Sequence, residues 1–235
     1  MSTSRVTRHP APLRHQVARL LREDILDGVY APGERLLEGT MCASYGVSRT
    51  VVREALRQLE TERLVTVLAH RGPIVTVLTA DDIKCVYDVR RVLEGLAGEL
   101  FARTASAEQA EALVAHLTEM EVSYVRGTVK TREQAKERFY ELLLDGAGNE
   151  VLAADLSTVH ARIALFRRYA FVDDARVRHS FDELRAIVEA AAVARDPEEA
   201  RRRCEHHIAV AGRLAMEEYE RRMEASAQRD DATSS

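Results

Sequence analysis

The sequence has few cysteines and no long apolar run. Its 235 residues include three cysteines, Cys42, Cys85 and Cys204, which are far apart and without paired spacing. An odd, scattered set argues against a disulfide framework and a zinc ribbon, so we expect free thiols that pack in helix seams. No segment is apolar over the length of a membrane span, and the N-terminus lacks the apolar stretch of a signal peptide. We therefore expect a cytoplasmic protein.

Charge is divided unevenly along the chain. The net charge is −4, but residues 1–78 contain 11 Arg and 8 acidic residues, whereas the remainder contains 23 basic and 30 acidic residues. The N-terminal part therefore has a net charge of +3 and the rest a net charge of −7. A basic N-terminal part followed by an acidic remainder is typical of a nucleic-acid-binding domain joined to a domain with another function.

The run from Gly46 to Leu59 combines a turn, a helix cap, an apolar seam and a basic stripe. Apolar residues recur at helical spacing on one face: Val52, Ala55, Leu56 and Leu59. The opposite face carries arginines four residues apart, suited to phosphates and guanine edges: Arg49, Arg53 and Arg57. Ser48 stands at the N-cap position, and Gly46 can adopt the left-handed turn that ends a preceding helix. This pattern is typical of a DNA-recognition helix.

The flanking segments complete a small DNA-binding fold. Residues 1–12 are polar and predict a flexible arm, and an amphipathic helix follows from Leu13 to Gly28. A second short helix is expected from about Glu38 to Tyr45. Two β-branched runs, 64–68 and 74–77, predict a hairpin. Residues 13–78 are therefore predicted to form a winged helix-turn-helix of three helices and a β-hairpin wing.

The rest of the chain is helical in its periodicity. Residues 79–82 predict a short linker leading into a helix cap, and residues 83–222 an antiparallel bundle of about six helices. The first helix has an apolar seam from Val89 to Leu100. The others are expected at 106–126, 131–145, 149–168, 175–194 and 197–222. The polar tail, 223–235, is expected to be disordered. The fold class is mainly α.

These motifs resemble a known family. The N-terminal part resembles the GntR family of bacterial transcription regulators at Leu36–Glu38, Gly46-Val-Ser-Arg-Thr50, Val52-Arg-Glu-Ala-Leu56, Leu64-Val65 and Arg71-Gly72. The second part resembles the FCD-type ligand-binding domain of its FadR subfamily, through Arg90-x-x-Leu93-Glu94, Phe139 with Asn149 ten residues later, and Asp196 to His207. The resemblance implies a homodimer that binds a pseudo-palindromic double-stranded DNA operator. It further implies that a small organic acid in the helical domain controls this binding.

The same resemblance assigns the DNA contacts. It places Arg49, Thr50 and Arg53 in the major groove, with Ser48 and Arg57 on the same helix, and it brings the wing tip to the minor groove at His70, Arg71 and Gly72. A guanidinium that binds guanine O6 and N7 contributes roughly 1–3 kcal/mol of discrimination. The alternative is that these arginines form a solvated helix face.

The DNA-binding part also departs from the family. Relatives usually have a small polar residue at Leu37, a basic residue at Gly39, a proline at Val51 and a glycine at Arg63. Loss of a polar N-cap should weaken the second helix by about 0.5–2 kcal/mol. A non-glycine residue at a position that needs positive φ should be strained by about 1–2 kcal/mol. Operator preference therefore cannot be copied from relatives.

The largest departures lie in the helical domain. Many relatives hold a divalent metal with an Asp and a His four residues apart and one His from each of two later helices. In this chain Lys136 and Tyr140 replace the first pair, Leu184 or Arg185 replaces the next His, and His207 alone is kept. We therefore predict no metal and no other cofactor. The replacement set of Arg90, Lys136, Tyr140 and His207 is instead suited to binding a small anionic effector, a carboxylate or a phosphate.

Two alternatives remain open for this domain. Glu94 lies one turn from Arg90, and Glu137 or Glu141 lies near Lys136, so internal ion pairs could fill the cavity and leave an effector-independent DNA-binding protein. Alternatively, a buried Lys136 beside Tyr140 could serve an enzyme. No Ser-His-Asp set, glycine-rich phosphate loop or paired-carboxylate constellation supports that second alternative, and we predict that the protein is not an enzyme.

Overall fold

The computed structural model describes residues 11–26, 28–170 and 173–233, with side chains at 13–26, 28–163 and 173–221. The chain divides into two compact units, Met1–Val77 and Leu78–Ser235. Residues 1–10 of the predicted arm lie outside the described residues. The last two residues of that arm, Ala11 and Pro12, already belong to the first helix. Within the described ranges, every helix is too short or too polar to cross a membrane.

The described residues of the first unit form three helices and one antiparallel hairpin. Its elements are α1 (Ala11–Leu26), α2 (Glu38–Tyr45), α3 (Arg49–Thr61), β1 (Val65–Leu68) and β2 (Gly72–Val75). Val65 lies opposite Val75, and Leu68 lies opposite Gly72 at the tip. This confirms the predicted winged helix-turn-helix. The second strand begins two residues earlier than predicted because Gly72 and Pro73 pair with β1 although neither is β-branched.

The core of this unit forms between α1 and α3. The predicted seam of α3 is buried, and Val17, Leu21 and Ile25 of α1 bury the matching face. A bidentate ion pair from Arg22 to Glu62 joins the two helices, with nitrogen–oxygen distances of 2.9 and 2.6 Å. Burial of the apolar seam leaves the arginine face of α3 exposed.

Helix ends in this unit follow the sequence with one difference, at Ser48. Gly46 ends α2 in the left-handed region with φ of 63°, as predicted. Ser48 is the N-cap residue of α3, but its side chain makes no capping hydrogen bond. Leu37, the N-cap residue of α2, makes none either. Arg63 has φ of 63°, so this residue does occupy the strained conformation that a glycine would adopt freely.

The second unit is a bundle of six described α-helices. They are α4 (Ala80–Thr104), α5 (Ala107–Val125), α6 (Val129–Ala147), α7 (Glu150–Ala170), α8 (Asp174–Val188) and α9 (Pro197–Thr233), with a π-helical turn at Glu189–Val193 after α8. The predicted bundle is confirmed. The predicted linker 79–82 differs, since Thr79 is already an N-cap residue in a capping box with Asp82. An N-cap threonine with an acid three residues later satisfies two of the unpaired amides at a helix start.

Helices α4 and α9 pack antiparallel and very closely. A Cβ on Gly98 would lie 2.6 Å from Cys204 Sγ and 3.0 Å from the Ala200 carbonyl oxygen, so only glycine permits this approach. Further along, Gly212 of α9 meets Tyr87 of α4. The apolar core lies between these helices and α5, α6 and α8, around Phe101, Phe139 and Leu184.

Two further expectations differ from the structure. Helix α9 continues to Thr233, past the start of the expected disordered tail. Residues 223–233 include three alanines together with one methionine, one glutamate, one glutamine and one arginine, all of which favour helix. Among the cysteines, Cys204 is buried and Cys42 partly buried, but Cys85 is exposed rather than packed in a seam. All three are free thiols.

Candidate functional site

The exposed face of α3 carries the basic stripe that the sequence predicts. Ser48, Arg49, Thr50, Arg53 and Arg57 are all exposed. The arginine side chains have different local partners. Arg53 donates to both carboxylate oxygens of Glu38, at 2.8 and 3.0 Å, and Arg57 lies 3.2 Å from Glu54. Arg49 forms no ion pair within the described part of the chain, so its guanidinium group is available without breaking an internal contact.

The wing tip presents a second basic element. His70 and Arg71 are exposed between β1 and β2. His70 has φ of 66° and Gly72 has φ of 78°, so two left-handed residues make the reversal tight. A Cβ added to Gly72 would meet nothing within 4 Å, which leaves open space on that side for another molecule. The unit therefore offers an exposed basic helix face and an exposed basic hairpin tip.

The interior of the bundle contains a set of polar side chains, called here the interior network: Arg90, Glu94, Lys136, Tyr140, His160, Ser180, Glu183 and His207. Its first part joins α4, α6 and α7. Arg90 Nε lies 2.5 Å from Glu94 Oε1, and Arg90 Nη2 donates to the Tyr140 hydroxyl at 3.1 Å. Arg90 and Glu94 are 1% and 2% exposed. His160 Nε2 contacts Glu94 Oε1 at 2.8 Å.

The second part joins α6, α8 and α9. Lys136 Nζ lies 3.0 Å from His207 Nε2 and 3.4 Å from Ser180 Oγ. On the other side of the ring, His207 Nδ1 lies 2.5 Å from Glu183 Oε2. Arg176 completes the chain through a bidentate pair with Glu183 at 2.9 and 3.0 Å. The four residues predicted for effector binding are thus brought together in two hydrogen-bonded pairs.

These contacts fix the protonation of His207. A lysine ammonium only donates, so Nε2 accepts and Nδ1 carries the proton that Glu183 accepts. Burial, with help from the positive charge of Lys136, lowers the pKa of His207 to about 4. Burial would raise the pKa of Glu183, but hydrogen bonds from His207 and Arg176 hold it at about 2. At neutral pH this part of the network therefore contains a neutral imidazole and an ionised carboxylate.

The charge state of the first part is equally well defined. Burial would raise the pKa of Glu94, but Arg90 and His160 hold it well below its usual range. Burial would lower the pKa of Arg90, yet Glu94 and the hydroxyls of Tyr140 and Tyr87 keep it above its usual value. Arg90 and Glu94 therefore form an ion pair inside the bundle.

The donor set does not fit the metal site of related domains. The imidazole nitrogen of His207 that would bind a metal accepts from the Lys136 ammonium 3.0 Å away. A cation at this position would repel a metal ion, and Leu184, which is fully buried, offers no donor. Across the described residues, no group of three histidine, cysteine or acidic side chains is placed to hold a metal.

Part of the interior network follows from the sequence, and the rest does not. The Arg90–Glu94 pair follows from i, i+4 spacing. Glu141, by contrast, pairs with Arg138 on the surface at 2.9 Å, and Glu137 is exposed. No sequence pattern predicts the contacts of His160, Ser180 and Glu183, because each of them contacts a residue of a different helix.

Two family models match the chain. The model of bacterial regulatory proteins of the gntR family matches residues 13–75, and the FCD domain model matches residues 85–210. Together these matches cover the winged unit and most of the bundle. The second match includes every residue of the interior network.

Several known proteins are similar to this chain. The uncharacterized HTH-type transcriptional regulator YdhC of Bacillus subtilis is 35% identical over 77% of this chain and 81% of its own length. The gluconate operon transcriptional repressor of Bacillus subtilis is 42% identical over 79 residues, which are 34% of this chain and 32% of that protein. Among solved structures, a GntR transcriptional regulator of Rhodococcus sp. RHA1 has a TM-score of 0.70 at 27% identity, covering 87% of this chain and 98% of that one. All three are named as transcription regulators and none as an enzyme, so they give no support to the enzyme alternative built on Lys136 and Tyr140.

Proposed function

We propose, because this chain belongs to the gntR family of bacterial transcription regulators and carries an FCD domain, that it represses transcription as a homodimer on a pseudo-palindromic operator. A small organic acid, bound without metal by the interior network, controls the affinity for that operator. The likeness of about a third of this chain to the gluconate operon transcriptional repressor of Bacillus subtilis supports repression as the direction of control.

The exposed face of α3 carries the DNA-binding part of the proposal. Arg49, Thr50 and Arg53 enter the major groove, where a guanidinium can bind guanine O6 and N7 together. Ser48 and Arg57 flank them against phosphates, and the wing residues His70, Arg71 and Gly72 approach the minor groove. Arg53 exchanges its contact with Glu38 for a DNA contact, whereas Arg49 needs no such exchange.

Replacing Arg49 with alanine tests this assignment. We expect operator affinity to fall about 10- to 100-fold and sequence preference to relax, because one bidentate base contact contributes roughly 1–3 kcal/mol. Fluorescence anisotropy at fixed salt, with operator and scrambled DNA, measures both effects. The matched control is Arg138→Ala, an exposed arginine of α6. Equal operator affinity in Arg49→Ala and Arg138→Ala would show that α3 is not the recognition helix.

The effector part rests on two buried cationic side chains of the interior network, Arg90 and Lys136. Both side chains are at least 94% buried, and burial of charge is costly unless other polar groups compensate. Tyr140, one turn from Lys136 on α6, hydrogen-bonds to Arg90, so hydrogen-bond donors from two helices meet at one place. A carboxylate bound here would accept hydrogen bonds from both cationic groups, which is the preferred chemistry of guanidinium and ammonium.

One observation favours a second candidate function, an effector-independent DNA-binding protein. Glu94 already supplies a carboxylate to Arg90 at 2.5 Å, and both side chains are buried. In that case the interior network only stabilises the bundle. The two candidates differ in whether any external carboxylate competes for this position.

A thermal-shift screen of small mono- and dicarboxylic acids, with a metal chelator present, separates the two candidates. We expect at least one acid to raise the Tm of the wild-type protein, because a ligand that binds only the folded state stabilises it. Tyr140→Phe should reduce that shift by half or more, whereas Lys84→Met, at an exposed lysine of α4, should leave it unchanged. A full shift in Tyr140→Phe would refute the assigned site, and no shift with any acid would favour the effector-independent protein.

A further inference from the structure

A second polar region of the bundle lies apart from the interior network. It is a cleft of about 710 Å³ where α5 ends, α6 begins and α8 passes. Among the residues that the structure describes, its charged lining consists of three arginines and one carboxylate: Arg126, Arg132, Arg178 and Asp174. We call this region the arginine cleft. Its excess of positive charge contrasts with the net charge of −7 carried by residues 79–235.

The side chain of Arg132 is held in a fixed position at the base of the cleft. It is nearly buried, at 7% exposure, and donates from Nε to the Tyr124 carbonyl at 3.0 Å and from Nη2 to the Val125 carbonyl at 3.3 Å. Nη2 also lies 2.6 Å from Asp174 Oδ1. The carboxylate of the charged lining is therefore already neutralised by an arginine that is itself fixed to the end of α5.

The other two arginines keep their charge available. Arg126 and Arg178 are exposed, and neither forms an ion pair with any residue that the structure describes. They come from different elements, the C-terminal end of α5 and the second turn of α8, yet line the same cleft. With the Arg132–Asp174 pair neutral, the described charged lining has a net charge of +2, carried by two guanidinium groups that line the same cleft.

Neighbouring groups suit the same kind of ligand. Thr128, the N-cap residue of α6, and Val129 line the cleft beside the arginines. The first amides of a helix have no partner within the helix and favour a nearby negative charge. These groups add to the arginines and would be insufficient without them.

We propose that the arginine cleft binds a small, multiply charged oxyanion of the phosphate class, either free phosphate or the phosphoryl group of a metabolite. Guanidinium groups form bidentate hydrogen bonds with phosphate oxygens, and two of them from different helices favour a dianion over a monocarboxylate. This site differs in position and in ligand from the interior network, and it does not depend on the function proposed for that network.

Isothermal titration calorimetry of the full-length protein tests the proposal, with inorganic phosphate, a phosphate monoester and acetate as separate probes at constant ionic strength. We expect saturable binding of phosphate or of the monoester at one site per chain and none of acetate. Arg126→Gln/Arg178→Gln should weaken it at least about tenfold, because hydrogen bonds to a charged ligand are lost. Arg91→Gln/Arg138→Gln, which removes two exposed arginines elsewhere in the same unit, should change it less than twofold.

The arms of this experiment separate the possible outcomes. Saturation by inorganic phosphate identifies the free ion as sufficient, and saturation by the monoester alone identifies a phosphorylated metabolite. Tyr140→Phe should leave phosphate binding intact, which distinguishes this site from the interior network. Absence of saturable binding, or equal weakening by the control pair, would overturn the proposal. Loss of operator affinity in Arg126→Gln/Arg178→Gln, matching the loss of phosphate binding, would assign these arginines to DNA and overturn it as well.

Discussion

Replacing Glu94 with alanine should lower the free energy of unfolding of the helical unit by about 3–5 kcal/mol, because it leaves a buried guanidinium without its carboxylate. Arg90 is 1% exposed and bonded to Glu94 at 2.5 Å. His160 would lose its contact with the same oxygen. Chemical unfolding of the full-length protein, followed by helical circular dichroism, measures the loss.

Two further variants isolate the buried charge as the cause. Glu99→Ala removes another α4 carboxylate, which pairs with exposed Arg103 at 2.8 Å, and should cost less than about 1 kcal/mol. Arg90→Leu/Glu94→Leu removes both charges and should be more stable than Glu94→Ala. Replacing both members of a buried ion pair with apolar residues costs less stability than removing one member and leaving the other charge unpaired. If Glu94→Ala cost no more than Glu99→Ala, the ion pair would contribute little to the fold.

The helical unit should lose about 3 kcal/mol of stability as the pH falls from 6.5 to 4, through His207 alone. Burial and Lys136 lower the pKa of His207 from 6.5 to about 4. Between pH 6.5 and pH 4 the His207 ring is protonated in the unfolded chain but neutral in the folded chain, so a fall in pH favours unfolding. Lys136, Glu183 and Glu94 face the ring. The lowered pKa values of both carboxylates extend the loss below pH 4.5 in the same direction.

The slope of the unfolding free energy against pH tests the lowered pKa of His207 more directly than the unfolding free energy at any single pH. His207→Gln lowers stability at every pH through lost contacts, but it should flatten the curve between pH 4 and 6.5. His206→Gln alters the neighbouring histidine, which is exposed, and should keep the wild-type slope. An unchanged slope in His207→Gln would mean that this ring titrates normally in the folded protein.

How far the sequence predicts this protein depends on how local each feature is. The face of α3 follows from residues within fourteen positions of one another, and its apolar seam is buried as predicted. At Arg63, where relatives usually carry glycine, strain was expected if the position needs a positive φ, and the structure has a φ of 63° there. The ion pair between Arg90 and Glu94 could also be predicted, because the two residues lie one helical turn apart.

Local patterns do not predict the non-local contacts, and only the family resemblance grouped Lys136 with His207 in advance. Lys136 and His207 are 71 residues apart, and Tyr124 and Ser180 are 56 apart. Their meeting depends on how four helices pack, not on any short pattern. The same limit applies to Glu183, which spacing alone would leave on a solvated helix face but which bonds to His207 inside the bundle.

The most direct test of effector control is the operator affinity of metal-free protein with and without the acid identified by the thermal-shift screen. DNA selected from a random pool serves as the operator, and anisotropy gives the dissociation constant. We expect the acid to weaken operator binding of the wild-type protein at least about fivefold, which corresponds to a coupling of about 1–3 kcal/mol. The acid should weaken operator binding of Tyr140→Phe less, and that of Lys84→Met as much as that of the wild type. An operator affinity that stays constant with every acid, or that responds only after metal is restored, would contradict metal-free effector control.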